Sequence, residues 1–170
     1  MKKIAWIILI GILTVFRPAS AQEEKYIGLY IYNITKYFDW PPASKSGNFV
    51  IEVFGHKSVY TELQRLTAGK SIGSQKIVVR NYTTIDQMGD CHIIFVGHWQ
   101  ARYMDQIIER IGSKPTLIIT EYDGLLAKGA AINFVIRNNK IEFELKPSNA
   151  TQYGLKMDPR IRQLAYNVVD

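Results

Sequence analysis

Short apolar runs that alternate with helix-periodic stretches constrain this chain more than any other feature. Phe49–Phe54, His92–Val96 and Thr116–Thr120 are rich in β-branched and aromatic residues, and Lys76–Arg80 is a run of the same kind with basic ends. Strands that read as near-continuous apolar runs belong to sheets covered on both faces. Between them, Val59–Thr67 and Trp99–Ile111 carry apolar residues at helical spacing, with Met104, Ile107, Ile108 and Ile111 in the second. Strand, helix, strand, repeated along the chain, predicts βαβ units and a mostly parallel sheet. The expected fold is therefore a three-layer α/β domain with a Rossmann-like core.

The two ends of this pattern differ from its middle. Residues 23–39 read as a helix with Ile27, Ile31, Ile34 and Phe38 on one face, and Trp40-Pro41-Pro42 stops it, because proline disfavours helical geometry in the residue before it. Pro41–Gly47 is the loosest connection. Leu125–Lys128 is at most a turn of helix. Ala131–Ile136 and Ile141–Leu145, joined through Asn138-Asn139, read as an antiparallel hairpin with Ile141, Phe143 and Leu145 inward and Glu142 and Glu144 outward. A closing helix is expected over Pro159–Val168, with Asp158 as its N-cap and Pro159 at its first position.

The first 21 residues carry a different signal. Lys2 and Lys3 precede the apolar run Ile4–Phe16, and Ala19-Ser20-Ala21 is a small-x-small site before Gln22. This is the pattern of a secretory signal peptide cleaved after Ala21. The run is too short to span a bilayer, which takes about 20 apolar residues. The expected mature chain, Gln22–Asp170, is a single exported domain, and no cysteine sits at the cleavage site to carry a lipid.

Composition then excludes several functions. Without Lys2, Lys3 and Arg17, the 21 basic residues fall to 18 against 15 acidic, so the formal charge drops from +6 to +3. No Lys/Arg block stands out, which makes nucleic acid a poor partner. The single cysteine, Cys91, rules out an intrachain disulfide framework and a Cys-rich zinc site. Ala68-Gly69-Lys70-Ser71 resembles the end of a P-loop, but Gln64 stands where the motif needs its first glycine. There is no G-x-G-x-x-G fingerprint and no G-x-S-x-G elbow. Cys91 and His92 are strand neighbours that point to opposite faces, so they cannot pair as nucleophile and base. Glu142 and Glu144 share a strand face at acid–base spacing, yet that face is the solvated one. No enzyme, cofactor or resident metal is expected.

Two groups of residues could bind something. Two strands end in the same dipeptide, Gly55-His56 and Gly97-His98, and a third ends at Glu121-Tyr122-Asp123. Ligands of open α/β sheets bind at the carboxyl ends of strands. His56, His98, Trp99 and Asp123 could therefore line one crevice for a small ligand, unless the strand order keeps them apart. The second group lies on the first helix. Tyr26, Tyr30, Asn33 and Tyr37 form a stripe beside the aliphatic one, next to the Trp40-Pro41 corner. Such a stripe serves a partner interface as well as it serves a deeply buried helix. Sequons at Asn33, Asn81 and Asn149 matter only in a host that glycosylates exported proteins.

Several of these residues also follow a known pattern. Leu29-Tyr30, Tyr32-Asn33, Lys36-Tyr37-Phe38 and Trp40-Pro41 resemble the opening helix of the YfiR/HmsC-like family. In order behind them, Phe49–Gly55, Gly69-Lys70 with Ile72-Gly73, Val78–Arg80, Cys91–Val96, the hairpin Gly129–Lys146, and Asn149-Ala150 with Gly154–Lys156 resemble the family's later segments. The resemblance covers roughly residues 25–169. It implies an exported, usually periplasmic, non-catalytic α/β domain, often dimeric, that regulates a membrane-bound signalling partner such as a diguanylate cyclase by direct contact. Related domains form sensor ends of histidine kinases. The better-known relatives carry further cysteines in disulfides, so redox control through them does not transfer to a chain with Cys91 alone.

Overall fold

The computed structural model describes residues 19–170; the expected signal peptide lies outside them except for Ala19–Ala21. In chain order the elements are α1 (Ala19–Ile34), β1 (Phe38–Asp39), β2 (Phe49–Phe54), α2 (Lys57–Thr67), β3 (Ser71–Ile72), β4 (Gln75–Tyr82) and β5 (Ile93–Val96). They continue with α3 (Met104–Ile111), β6 (Leu117–Thr120), β7 (Ile132–Arg137), β8 (Lys140–Leu145), α4 (Pro147–Thr151), β9 (Lys156–Met157), α5 (Ile161–Leu164) and β10 (Asn167–Val168). Among the described residues, eight strands form one sheet in the order β10-β8-β7-β6-β5-β2-β4-β3, and β1 pairs with β9 in a two-stranded ribbon.

The parallel core β4-β2-β5-β6-β7 explains the apolar runs. Every residue of β2, β5 and β6 is buried. Alternate side chains go to opposite faces. Ile51, Val53, Phe95 and Ile119 pack with Ile31, Val59 and Leu63 under α1 and α2. Phe54, Ile94, Val96 and Ile118 pack with Met104 and Ile107 under α3. The result is the expected three-layer α/β arrangement with an antiparallel hairpin on one side. Asn138 and Asn139, at φ 48° and 58°, close that hairpin. Two successive positive φ values are what a tight primed hairpin turn requires, and asparagine tolerates them.

Four local expectations are corrected. The first helix ends at Ile34, not Asp39: Thr35–Tyr37 tighten into a 3-10 turn, and Phe38–Asp39 pair with Lys156–Met157. Thr35 Oγ1 bonds back to the carbonyl of Tyr32 at 2.7 Å, a competitor of helical continuation. The closing helix shrinks to the single turn of α5, and Asn167–Val168 join β8 as a parallel edge strand. There the carbonyls of Phe143 and Leu145 accept from the N–H groups of Tyr166 and Val169. Asp158 accepts from the Arg160 N–H at 2.9 Å, but α5 starts at Ile161 with Arg160 at its N-cap, so neither Asp158 nor Pro159 holds its expected place in a helix. The stretch before α3 is a 3-10 helix over His98–Tyr103. Glu142 and Glu144 are half-buried instead of fully solvated, and Glu144 takes bonds from Asn133 Nδ2 and Asn167 Nδ2.

The Pro41–Gly47 connection is held more firmly than its composition suggests. His92 Nε2 lies 2.9 Å from the Ser44 carbonyl, and Gln75 Nε2 reaches the carbonyls of Ser44 and Ser46 at 3.0 Å each. The His92 ring stacks on Phe49, whose other contact is Trp40 at 4.8 Å edge-on. Cys91 faces away from this cluster and packs under α3, so the two neighbours do occupy opposite faces. Burial pushes the Cys91 thiol well up.

Candidate functional site

The strand order puts β2 between β4 and β5, so the chain leaves β2 in one direction and later continues from β5 in the other. The gap between the carboxyl ends of β2 and β5 is the topological switch point, where open α/β sheets bind ligands. Both strands end there in Gly-His. Gly55 takes φ +74°, and a Cβ on it would fall 2.1 Å from the side chain of Gln100. Gly97 lies so close to β2 that a Cβ would stand 3.1 Å from the Phe54 carbonyl. These constraints account for the repeated glycine and bring the two histidines to one rim.

A cleft of about 980 Å³ opens at that rim. Its floor includes His56, His98 and Asp123, so three of the four expected crevice residues share one cavity. Trp99 does not line it. That side chain is 78% exposed, with its ring 5.0 Å from the His98 ring. Glu121, which the sequence placed only as a strand end, is the group that ties the floor together. Its Oε1 accepts the His98 N–H at 2.9 Å and stands 3.6 Å from His56 Nε2. Burial holds the Glu121 carboxyl above the usual carboxylate range, and the charge of His56 is the largest influence pulling it back. Among the described residues, no group of three His, Cys, Asp or Glu side chains is placed to hold a metal ion.

One wall comes from β7 and β8. Pairing of β7 with β6 stops at Thr120↔Asn133, while pairing of β7 with β8 continues to Arg137↔Lys140. The hairpin thus overruns the end of β6 by four residues, Phe134–Arg137, and flanks the cavity. The start of α1 supplies Glu24 and Ile27 on another side. Arg137 lies 4.0 Å from the Tyr166 ring at the outer lip.

The stripe on the first helix is divided by the fold. Tyr26 is 44% exposed and Leu29 is exposed beside it. Tyr30 packs on Phe134 and Phe143, with ring centroids at 5.9 and 6.5 Å. Asn33 Oδ1 accepts from Lys36 Nζ at 2.9 Å, and Tyr37 and Pro41 are half-buried. Trp40 is 4% exposed and belongs to the core. The outer part of the stripe is therefore surface, and its inner part is packing.

Among the described residues, no helix is long and apolar enough to cross a membrane. The YfiR/HmsC-like family model matches residues 25–166 of the 170-residue chain, which takes in the parallel core β4-β2-β5-β6-β7, the hairpin and the helices α2 and α3 on its two faces.

Proposed function

The chain belongs to the YfiR/HmsC-like family, and from that premise we propose a non-catalytic regulator, exported with cleavage after Ala21, that acts on a membrane-bound signalling protein by direct contact. Members of this family are periplasmic regulators of diguanylate cyclase signalling. The single observation that carries the reading is the family match over residues 25–166. The partner proposed is a diguanylate cyclase or a histidine-kinase-like protein. Its contact surface would be the outer stripe of α1, with Tyr26 foremost and Tyr30, Asn33, Tyr37 and Pro41 beside it. Trp40 would support that surface from the core.

The test is capture from native membranes, with the mature chain Gln22–Asp170 cross-linked in the periplasm as bait. One membrane signalling protein, recovered by the wild type and lost with Tyr26→Ala while the variant still folds, supports the reading. Recovery of a second copy of the chain alone would replace it with a self-associating module.

A second reading is favoured by the convergence of His56, His98, Glu121 and Asp123 on one cleft. In it, a small ligand entering the strand-end cleft biases the regulator between states. A ligand can shift such an equilibrium only through its differential affinity for the two states. Dialysis of the chain against a periplasmic extract, followed by mass spectrometry of retained molecules, decides whether the cleft holds one.

A further inference from the structure

We infer that the four-residue overrun of β7 is a docking edge for an extended, cationic segment of a protein partner, which would add to the sheet as a strand in the place β6 vacates. The inference rests on the regulator reading above and names how the partner is held. The argument starts from ladder parity. The carbonyls of Phe143 and Leu145 accept from the Tyr166 and Val169 N–H groups on the far side of β8, so their partners Phe134 and Ile132 turn their backbone groups away from β8, and odd-numbered residues of β7 turn theirs towards it. The two-residue turn at Asn138-Asn139, which closes on Arg137 and Lys140, has the same parity. The backbone N–H and C=O of Ile136 therefore point the other way, over the cleft. Among the described residues no strand pairs with that side of β7 beyond Asn133. Ile136 is also 60% exposed, so an open strand edge and an apolar side chain are offered together.

Open edges of this kind are normally blunted by charge, proline or a covering element, because any extended chain can pair with them. Here β6 turns aside at Glu121, and the space left is the cleft itself. A cleft of about 980 Å³ is large enough for a segment of a few residues. Strand addition draws affinity from main-chain bonds and specificity from alternate side chains. Charge chooses the occupant. Among the described residues, Glu24, Glu121, Asp123 and Glu144 line the cleft, and Arg137 is the single Lys or Arg that does. Alternate side chains of an added strand would meet Glu24 on the α1 side and Val135 with Glu144 on the other. A segment alternating Lys or Arg with Val or Ile suits both.

The probe is the peptide acetyl-Lys-Val-Lys-Val-Lys-amide carrying a fluorophore, read by anisotropy with the mature chain. Proline on an edge strand costs no ladder bond when its missing N–H would face outwards. Ile136→Pro therefore closes the edge while β7 and β8 stay paired, which far-ultraviolet circular dichroism checks. The expected result is saturable binding that weakens at least about tenfold with Ile136→Pro. The same loss is expected when the peptide carries N-methyl groups on its paired backbone nitrogens. The Ile136 amide should also become protected from hydrogen exchange on binding. Equal binding of the N-methylated peptide, or of the Ile136→Pro chain, would overturn strand addition, and so would the absence of saturable binding. Capture from membranes separates the two proposals. A partner recovered equally by wild type and Ile136→Pro sinks the docking edge and leaves the regulator standing. Peptide binding with no membrane partner does the reverse.

Discussion

His98 and Glu121 close the floor of the cleft: the His98 N–H donates to Glu121 Oε1 at 2.9 Å, across the ends of two adjacent parallel strands. The same oxygen faces His56 from the end of a third. One carboxylate thus fixes the relative position of all three strand ends around the switch point.

Glu121→Ala removes the acceptor and leaves the His98 N–H without its partner. An orphaned polar group of this kind costs about 1–3 kcal/mol. The expected outcome is a stability loss of that size, with faster exchange of the His98 amide. Glu121→Gln keeps an acceptor oxygen and should lose much less. Chemical denaturation and amide exchange together check this. Equal losses in the two variants would show that charge, not the hydrogen bond, holds the floor.

Trp40 and the exposed part of α1 should respond oppositely to truncation. Trp40→Ala empties a core site against Phe49 and should cost about 3–5 kcal/mol. Leu29→Ala touches an exposed position and should change stability by roughly 0.5 kcal/mol or less. If α1 carries the partner contact, Leu29→Ala nevertheless weakens membrane-partner capture. A Leu29→Ala chain that captures as well as the wild type would move the contact off this part of the helix.

Glu52 gives a pH-dependent prediction. It is 1% exposed on the α3 side of β2, where Oε1 accepts the Gly89 N–H at 3.2 Å and lies 3.7 Å from Arg80 Nη1. Burial raises its carboxyl above the ordinary value, opposed first by the Gly89 bond, while Tyr82, Arg80 and Asp90 face the same group. A carboxyl raised on folding stabilises the folded state below its unfolded pKa. That contribution is lost as pH rises through its folded value. Glu52→Gln escapes the loss. Its melting temperature relative to the wild type should therefore climb between about pH 4 and about pH 7. A difference that stays flat with pH would mean that the buried carboxylate costs nothing net.

His92 should act as a latch on the Pro41–Gly47 connection. The Val50 N–H donates to Nδ1 at 3.1 Å, and Nε2 meets the Ser44 carbonyl. Both ring nitrogens are used, which fixes the neutral tautomer with hydrogen on Nε2. His92→Phe preserves stacking on Phe49 but strands the Val50 N–H, at a cost of about 1–3 kcal/mol. Cleavage by trypsin at Lys45 should speed up in this variant. Unchanged cleavage would assign the loop's order to Gln75 instead.

The parallel core was readable because it rests on local pattern. Phe49–Phe54, His92–Val96 and Thr116–Thr120 lie in β2, β5 and β6 within a residue at their ends, since an apolar run between helix-periodic stretches has few other solutions. The Gly-His pairs were readable as strand ends for the same reason. The first helix was overextended through Phe38 because its period continues there, and only a partner strand from the far end of the chain pulls Phe38–Asp39 out of it. The Pro159–Val168 helix failed likewise: an open edge on β8 captured Asn167 and Val168. Glu121 was passed over as a site because its sequence neighbourhood says nothing about the histidines it faces.

The sequence by itself determined the layers, the family and the residues that end each strand, because hydrophobic period, glycine and proline act over a few residues. Only the tertiary structure decided which strand ends meet. The order β4-β2-β5-β6-β7 brings His56, His98 and Asp123 to one cleft, and the early end of β6 leaves one side of β7 at Ile136 without a pairing strand among the described residues. Both depend on pairing between segments far apart in the chain. Such pairing is governed by hydrogen bonding and burial summed over the whole sheet, and no local window contains that sum.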